Sequence, residues 1–356
     1  MDLKHTPLFD LQLAQKARMV SFEGWEMPVQ YEGILAEHRA VRNDVGLFDI
    51  SHMGKFILKG NLDEIQRLIP SDLSRLQPGQ GQYSVLLNDQ GGIVDDVIFY
   101  CHSPEYWTVI VNASTTEKDK TWIQTHAPTV DFRDLSQERL LLAIQGPNAQ
   151  AKLQSFTTVD LSSIPRFGHR TGELLGAESF IARTGYTGED GFELMLPLEE
   201  GRSLWTKLVN DGVFPCGLGC RDTLRLEAGM HLYGQDMNDE TTPLEASLGW
   251  LVHWDKGPFI GREVLESQKS KLTRKLVGLE IQERGIPRHD YPVLFQGAPI
   301  GTVTSGALSP QSNKGIALAY VPMELSTLGT HLEVDIRGRT VPAMVVKRPF
   351  YHRPKV

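Results

Sequence analysis

The stretch "GQYSVLLNDQGGIVDDVIFYCH", residues 81 to 102, holds the pattern from which the architecture is read. Two runs rich in β-branched and aromatic residues flank "NDQGG" (88–92), a polar, glycine-rich connection of the kind that joins the strands of a hairpin. Successive side chains of a strand point to opposite faces, so Asp95 aligns with Ile93, Val97 and Phe99, and Asp96 with Val94, Ile98 and Tyr100. Whichever face is buried, one carboxylate goes with it. Removing a carboxylate from water is costly unless donors or a cation meet it, so the pair marks a candidate functional position.

Outward from this hairpin, short β-rich runs alternate with helical ones. "EGILAEHRAVRNDVGLFDIS" (32–51) reads as a helix and then a strand, with Ile34, Leu35, His38 and Val41 at helical spacing. "GKFILKG", "YWTVIVN", "LLLAIQG", "ESFIART" and "FELMLP" read as strands, and "NLDEIQRLI", "STTEKDKTWIQTHA", "GRSLWTKLVNDG" and "CRDTLRLEAGM" as helices. This is mixed α+β rather than a regular parallel array. From Leu276 to Lys347 the helices stop, and short strands with Gly or Pro turns predict a small closed barrel or sandwich. A domain boundary is expected around residues 265 to 274.

A chain of 356 residues suggests two or three domains. A formal net charge of −8 argues against binding nucleic acid by neutralising phosphates. Cys101, Cys216 and Cys220 are too few and too oddly spaced for a disulfide framework or a four-ligand zinc site, which points to a reducing compartment. "MDLKHTPLFDLQLAQ" lacks the apolar core of a signal peptide, and no run of about 18 apolar residues follows, so a cytoplasmic protein without a membrane segment is expected. No phosphate-binding, dinucleotide, zinc-protease or serine-hydrolase motif occurs. The histidines lack ligand spacing, and lone ones such as His52 and His253 read as hydrogen-bonded structural residues.

Charged residues in apolar or glycine-rich settings remain. "RTGYTGEDGFELMLP" (183–197) puts Tyr186 in a turn and Glu193 between Phe192 and Leu194 in a strand, while Glu189 and Asp190 read as ordinary polar tips. Arg221, Arg225 and Glu227 fall at a helix start, where a cap at Asp222 and pairing across the helix face are the competing account.

These segments, with "TPLFDLQLAQKARMVSFEGWEMPVQY", "EHRAVRNDVGLFDISHMGKF", "IQGPNAQ", "GLGCRDTLRLEAGMHLYGQDM", "PLEASLGW", "FIGREVL", "TSGALSP" and "IALAYV", resemble in order the aminomethyltransferase, or T-protein, family of the glycine cleavage system. The resemblance covers nearly the whole chain. It implies an α+β protein of three lobes around a central folate channel. Two interleaved α+β lobes, roughly residues 1–50 with 138–265 and residues 51–137, would form the folate-binding region 1–265. A C-terminal β-barrel would span 274–356.

The resemblance also implies a reaction. An aminomethyl group on the lipoyl arm of a small partner, the H-protein, would pass to tetrahydrofolate as co-substrate, releasing ammonia and 5,10-methylenetetrahydrofolate. The aminomethyl carbon is bonded to sulfur and nitrogen, so loss of either leaves a cationic, iminium-like centre that a folate nitrogen captures. No metal or covalent enzyme nucleophile is required; positioning and a fixed negative charge suffice.

By the family pattern the catalytic carboxylate is Asp96, with Asp95 structural, a choice that alternation alone leaves open. Glu193 resembles the residue at the pterin edge, where a carboxylate accepts from a ring N–H and an exocyclic amine, with Tyr186 beside it. Tyr83 and Met53 resemble channel walls, with core packing as the competing account, and Arg221 matches a family arginine near the folate.

Three alternatives share the scaffold. A folate-dependent demethylase of methyl–sulfur compounds is one. A non-catalytic folate-binding accessory protein is another, disfavoured because "KGPFIGRE" (256–263) carries Pro258 where that group has a cysteine. The folate domain of a sarcosine or dimethylglycine oxidase is the third, disfavoured by the missing dinucleotide fingerprint. The basic end "VVKRPFYHRPKV" (345–356) reads as a solvated tail rather than a docking element for an acidic partner.

Overall fold

The computed structural model describes residues 2–353. The hairpin forms as its sequence dictates. Strands Gly81–Leu87 and Ile93–Ser103 are joined by a turn in which Gly91 N–H donates to the Asn88 carbonyl at 2.9 Å and Asn88 Oδ1 accepts from the N–H groups of Gln90 and Gly92. Gly92 is required there, since a Cβ would lie 1.7 Å from the Asp239 carbonyl oxygen.

Both strands belong to a five-stranded sheet that continues through Tyr106–Val111, Gly54–Lys59 and Asp131–Asp134. A six-stranded sheet has the spatial order His169–Leu174, Ala177–Ala182, Gly191–Pro197, Arg139–Gln145, Gly46–Asp49, Phe214–Pro215. On its inner face Leu140, Leu142, Ile144, Phe192, Leu194 and Leu196 alternate into a core completed by Leu204, Trp205 and Leu208 of the helix Leu198–Asn210. The period of two on the strands and of three to four on the helix is what allows both to bury one face.

The C-terminal strands close into a barrel in the order Arg274–Ile281, Gly315–Pro322, Ala298–Leu308, Pro292–Phe295, His331–Ile336, Arg339–Val346. Barrel or sandwich was open in the sequence. Closure is made by antiparallel pairing of the first strand with the last, Gly278 opposite Val346 and Ile281 opposite Ala343. Every second residue points inward, as in Val277, Leu279 and Ile281, and the interior is filled by small branched side chains.

The expected solvated tail is instead packed through Tyr351, and His352 and Arg353 are exposed. Leu276, Ile316 and Leu318 leave apolar surface on the outside of the barrel, which Leu226 and Phe350 cover, and Tyr351 N–H donates to the Glu227 carbonyl at 2.9 Å. Residues 354–356 of that stretch lie outside the described residues.

Two compact units are defined by contact density: residues 1–65, 73–84 and 97–222 in one, and residues 66–72, 85–96 and 223–356 in the other.

Candidate active site

Met53, Tyr83, Tyr186, Glu193 and Arg221 belong to the first unit, and four of them are brought together. Arg221 stands over the Tyr186 ring with its guanidinium 4.6 Å from the centroid, and its Nη2 approaches Met53 Sδ at 3.9 Å. Burial holds the guanidinium below its ordinary pKa, offset by the nearby Tyr186 and Glu193. Neither charged member is neutralised at contact distance: among the described residues no carboxylate lies within ion-pair distance of Arg221, and no cation within that distance of Glu193. Tyr83 is half-buried on the strand Gly81–Leu87.

Glu193 reads as an intruder in "FELMLP", yet alternation places it on the face opposite the Phe192 and Leu194 core. It lies opposite Ala182 and Ala143, small neighbours that leave it half-buried and accessible. One carboxylate oxygen is fixed: Thr184 Oγ1 donates to Oε2 at 2.6 Å, Tyr100 OH donates to the same oxygen at 3.4 Å, and Tyr100 and Thr184 hydroxyls are 2.9 Å apart. Thr184 and Tyr100 are site residues that sequence reasoning missed. Thr184 follows the strand Ala177–Ala182 and Tyr100 lies on Ile93–Ser103, and the two meet at Glu193 only through the fold.

The turn carrying Tyr186 corrects another expectation. Glu189 and Asp190 are not polar tips but anchors. Arg42 donates to Glu189 Oε1 at 3.0 Å and to the Thr187 carbonyl at 2.7 Å, with the Arg42 and Glu189 side chains only 1% and 2% exposed. Arg183 grips both oxygens of Asp190, at 2.9 and 2.6 Å, the bidentate geometry that suits guanidinium and carboxylate. Arg42 and Arg183 thereby tie down the glycine-rich turn that carries Tyr186.

Comparable anchors hold the other members. Lys55 Nζ is fully buried and donates to the Ser51 and Met53 carbonyls at 2.7 and 2.8 Å, closing the turn that presents Met53; burial brings its pKa down to about 8. Before the helix Leu218–Glu227, Glu37 Oε2 accepts from Gly217 N–H at 2.9 Å while Oε1 accepts from the N–H groups of Tyr31 and Gly33. The sulfurs of Cys216 and Cys220, both buried, lie within 4.8 Å of this carboxylate.

The two aspartates divide differently from the simplest reading. Asp95, with Val97 and Phe99, is on the closed face and has no exposure; Asp96 shares its face with Ile98 and is half-buried. The carboxylate fully withdrawn from water is therefore Asp95. A group that must meet a ligand needs an open side, and Asp96 has it. Asp96 ends the 85–96 stretch of the second unit.

The lone-histidine expectation fails at His52, which is buried, with its Nδ1 lacking a hydrogen bond. It holds at His253, whose Nδ1 accepts from Asp72 N–H at 2.9 Å.

Family models match this arrangement over nearly its full length: the GCVT N-terminal domain over residues 8–256 and the glycine cleavage T-protein C-terminal barrel domain over residues 274–352. The chain belongs to the glycine cleavage T-protein family. It is 58% identical to an aminomethyltransferase of Rippkaea orientalis, covering 99% of each chain, and 56% identical to that of Picosynechococcus sp., covering 100% of each. A crystal structure of glycine cleavage system aminomethyltransferase T from Bartonella henselae superposes with a TM-score of 0.93 at 35% identity, covering 99% of each chain.

Proposed function

We propose that the chain transfers the one-carbon unit of an S-aminomethyldihydrolipoyl H-protein to tetrahydrofolate, releasing ammonia and 5,10-methylenetetrahydrofolate. It is an aminomethyltransferase, an enzyme of the glycine cleavage system. The observation that carries the residue-level reading is the pair Arg221 and Glu193, two charged groups held in place and, among the described residues, without an ion-pair partner at contact distance.

In the reaction both bonds of the aminomethyl carbon are replaced. The nitrogen leaves with the C–N electron pair and a proton as ammonia, the sulfur leaves as the dihydrolipoyl thiol, and two folate nitrogens bond the carbon in their place. Asp96 supplies negative charge beside the iminium-like centre and orients the folate nitrogens. Glu193, with one oxygen pinned by Thr184, accepts from the pterin edge through the other. Tyr186 and Met53, bridged by Arg221, and Tyr83 contact the aromatic body of the folate.

The lobe division 1–50 with 138–265, and 51–137, is supported by strand membership, since the six-stranded sheet draws on residues 46–49 and 139–215 and the five-stranded sheet on residues 54–134. The folate channel between lobes belongs to the same reading. A cytoplasmic location is supported by three free cysteines, and among the described residues no helix is long and apolar enough to cross a membrane.

The test mixes tetrahydrofolate with aminomethyl-loaded H-protein and follows ammonia and methylenetetrahydrofolate together. Asp96→Asn keeps shape and removes charge, so kcat is expected to fall by about 100-fold or more with the melting temperature unchanged. Near-normal turnover of that variant would sink the electrostatic role.

A further inference from the structure

His52 precedes Met53 in the turn after the strand Gly46–Asp49. It is 6% exposed, its Nδ1 is enclosed, and among the described residues neither ring nitrogen takes a hydrogen bond. Its neighbours are the rings of Phe22 at 5.9 Å and Trp25 at 6.4 Å, both nearly edge-on. Burial first, then the charges of Arg221 and Lys55, push its pKa down to about 3, so the ring is uncharged at neutral pH. A neutral imidazole keeps one donor and one acceptor, and enclosing either without a partner is costly.

His231 provides the contrast within the same chain. It is 8% exposed and likewise held uncharged, but its Nε2 meets the Ala246 carbonyl at 2.7 Å. A structural histidine closes its hydrogen bond inside the protein. His52 does not, and the larger of the two charges that act on it is that of Arg221, a member of the candidate site.

We infer that His52 is a ligand-binding residue whose Nε2, the ring nitrogen that is not enclosed, is met by an uncharged polar atom of the bound folate ring system. The inference rests on the folate reading of this site. Flanking cations disfavour a cationic group at the ring, and an uncharged imidazole offers no net charge to an anion. A neutral donor or acceptor on a heterocycle is what remains.

The test measures tetrahydrofolate binding to the full chain under anaerobic conditions, by quenching of tryptophan fluorescence, for His52→Phe, His52→Asn, His52→Gln and Glu193→Gln, with melting curves alongside. Asn mimics a donor at Nδ1 and Gln one at Nε2. His52→Phe is expected to weaken binding about tenfold, and His52→Gln to restore it to within about threefold, with melting temperatures unchanged. Wild-type binding in all three His52 variants, with Glu193→Gln impaired, overturns the inference and leaves the folate site standing. Equal losses in all three that track lowered melting temperatures assign His52 to packing and also overturn it. Absence of tetrahydrofolate binding by the unaltered chain removes the folate reading and this inference with it.

Discussion

Two arginines one turn apart on the helix Leu218–Glu227 have opposite surroundings. Arg225, 1% exposed, donates to Asp236 Oδ2 at 2.8 Å, to Ser305 Oγ at 2.8 Å and to the Met230 carbonyl at 3.2 Å. Asp236, with no exposure, also accepts from Leu232 N–H at 2.9 Å and from the Thr304 hydroxyl. Arg221 has an aromatic face and a thioether and, among the described residues, no carboxylate contact. A buried charge whose hydrogen bonds are all closed serves the fold, whereas one left partly open is poised for a ligand.

That contrast is broken most directly at Arg225. Arg225→Met leaves Asp236 charged and buried without its partner, and is expected to cost about 3–5 kcal/mol, read as a large drop in denaturation midpoint. Should the midpoint stay within error, the network is not structural. Arg221→Met is expected to behave inversely, changing stability by less than about 1 kcal/mol while weakening tetrahydrofolate binding by roughly 1.5–3 kcal/mol, the range for a hydrogen bond to a charged group.

A smaller effect belongs to the support of Glu193. Thr184→Val removes the 2.6 Å bond and leaves the carboxylate free to rotate, so folate binding is expected to weaken by about 1 kcal/mol with kcat little changed. Equal binding by this variant would mean that Tyr100 alone suffices to position the carboxylate.

The smallest effect is a pH dependence on the structural side. Burial first, then Arg348, bring the His231 pKa down to about 4, opposed by Asp236 and the bond to Ala246. The unfolded chain takes up this proton below about pH 6.5 and the folded chain does not, so stability from this group is lost as pH falls from about 6.5 towards 4. Between pH 7 and 6 the loss is roughly 0.5–1 kcal/mol, and His231→Gln should flatten it in urea titrations at the two pH values.

Much of the fold is legible in the sequence because it rests on local periods. Alternation locates the strand Gly191–Pro197 and puts Phe192 and Leu194 inward, Asn88 and the paired glycines predict the hairpin, and the regular spacing after Leu276 predicts the barrel strands. Of the site, the residue types Glu193, Tyr186 and Arg221 stand out as polar groups in apolar or glycine-rich settings. Their supports do not. Glu189 looks like a solvated tip because its partner, Arg42, is 147 residues away in sequence, and Glu37 meets Gly217 across 180 residues.

Strand and helix patterning, the membership of the family and the charged residues worth watching all follow from the order of the amino acids, since periodicity and motif are properties of neighbours along the chain. Which charges are neutralised does not follow from that order. Asp95 and Asp96 are adjacent and alike, yet one is sealed and the other half-open; Arg221 and Arg225 share a helix, yet one is closed into a network. Burial and pairing are set by segments that meet only when the chain folds, and they separate the residues that hold this molecule together from those left open to a substrate.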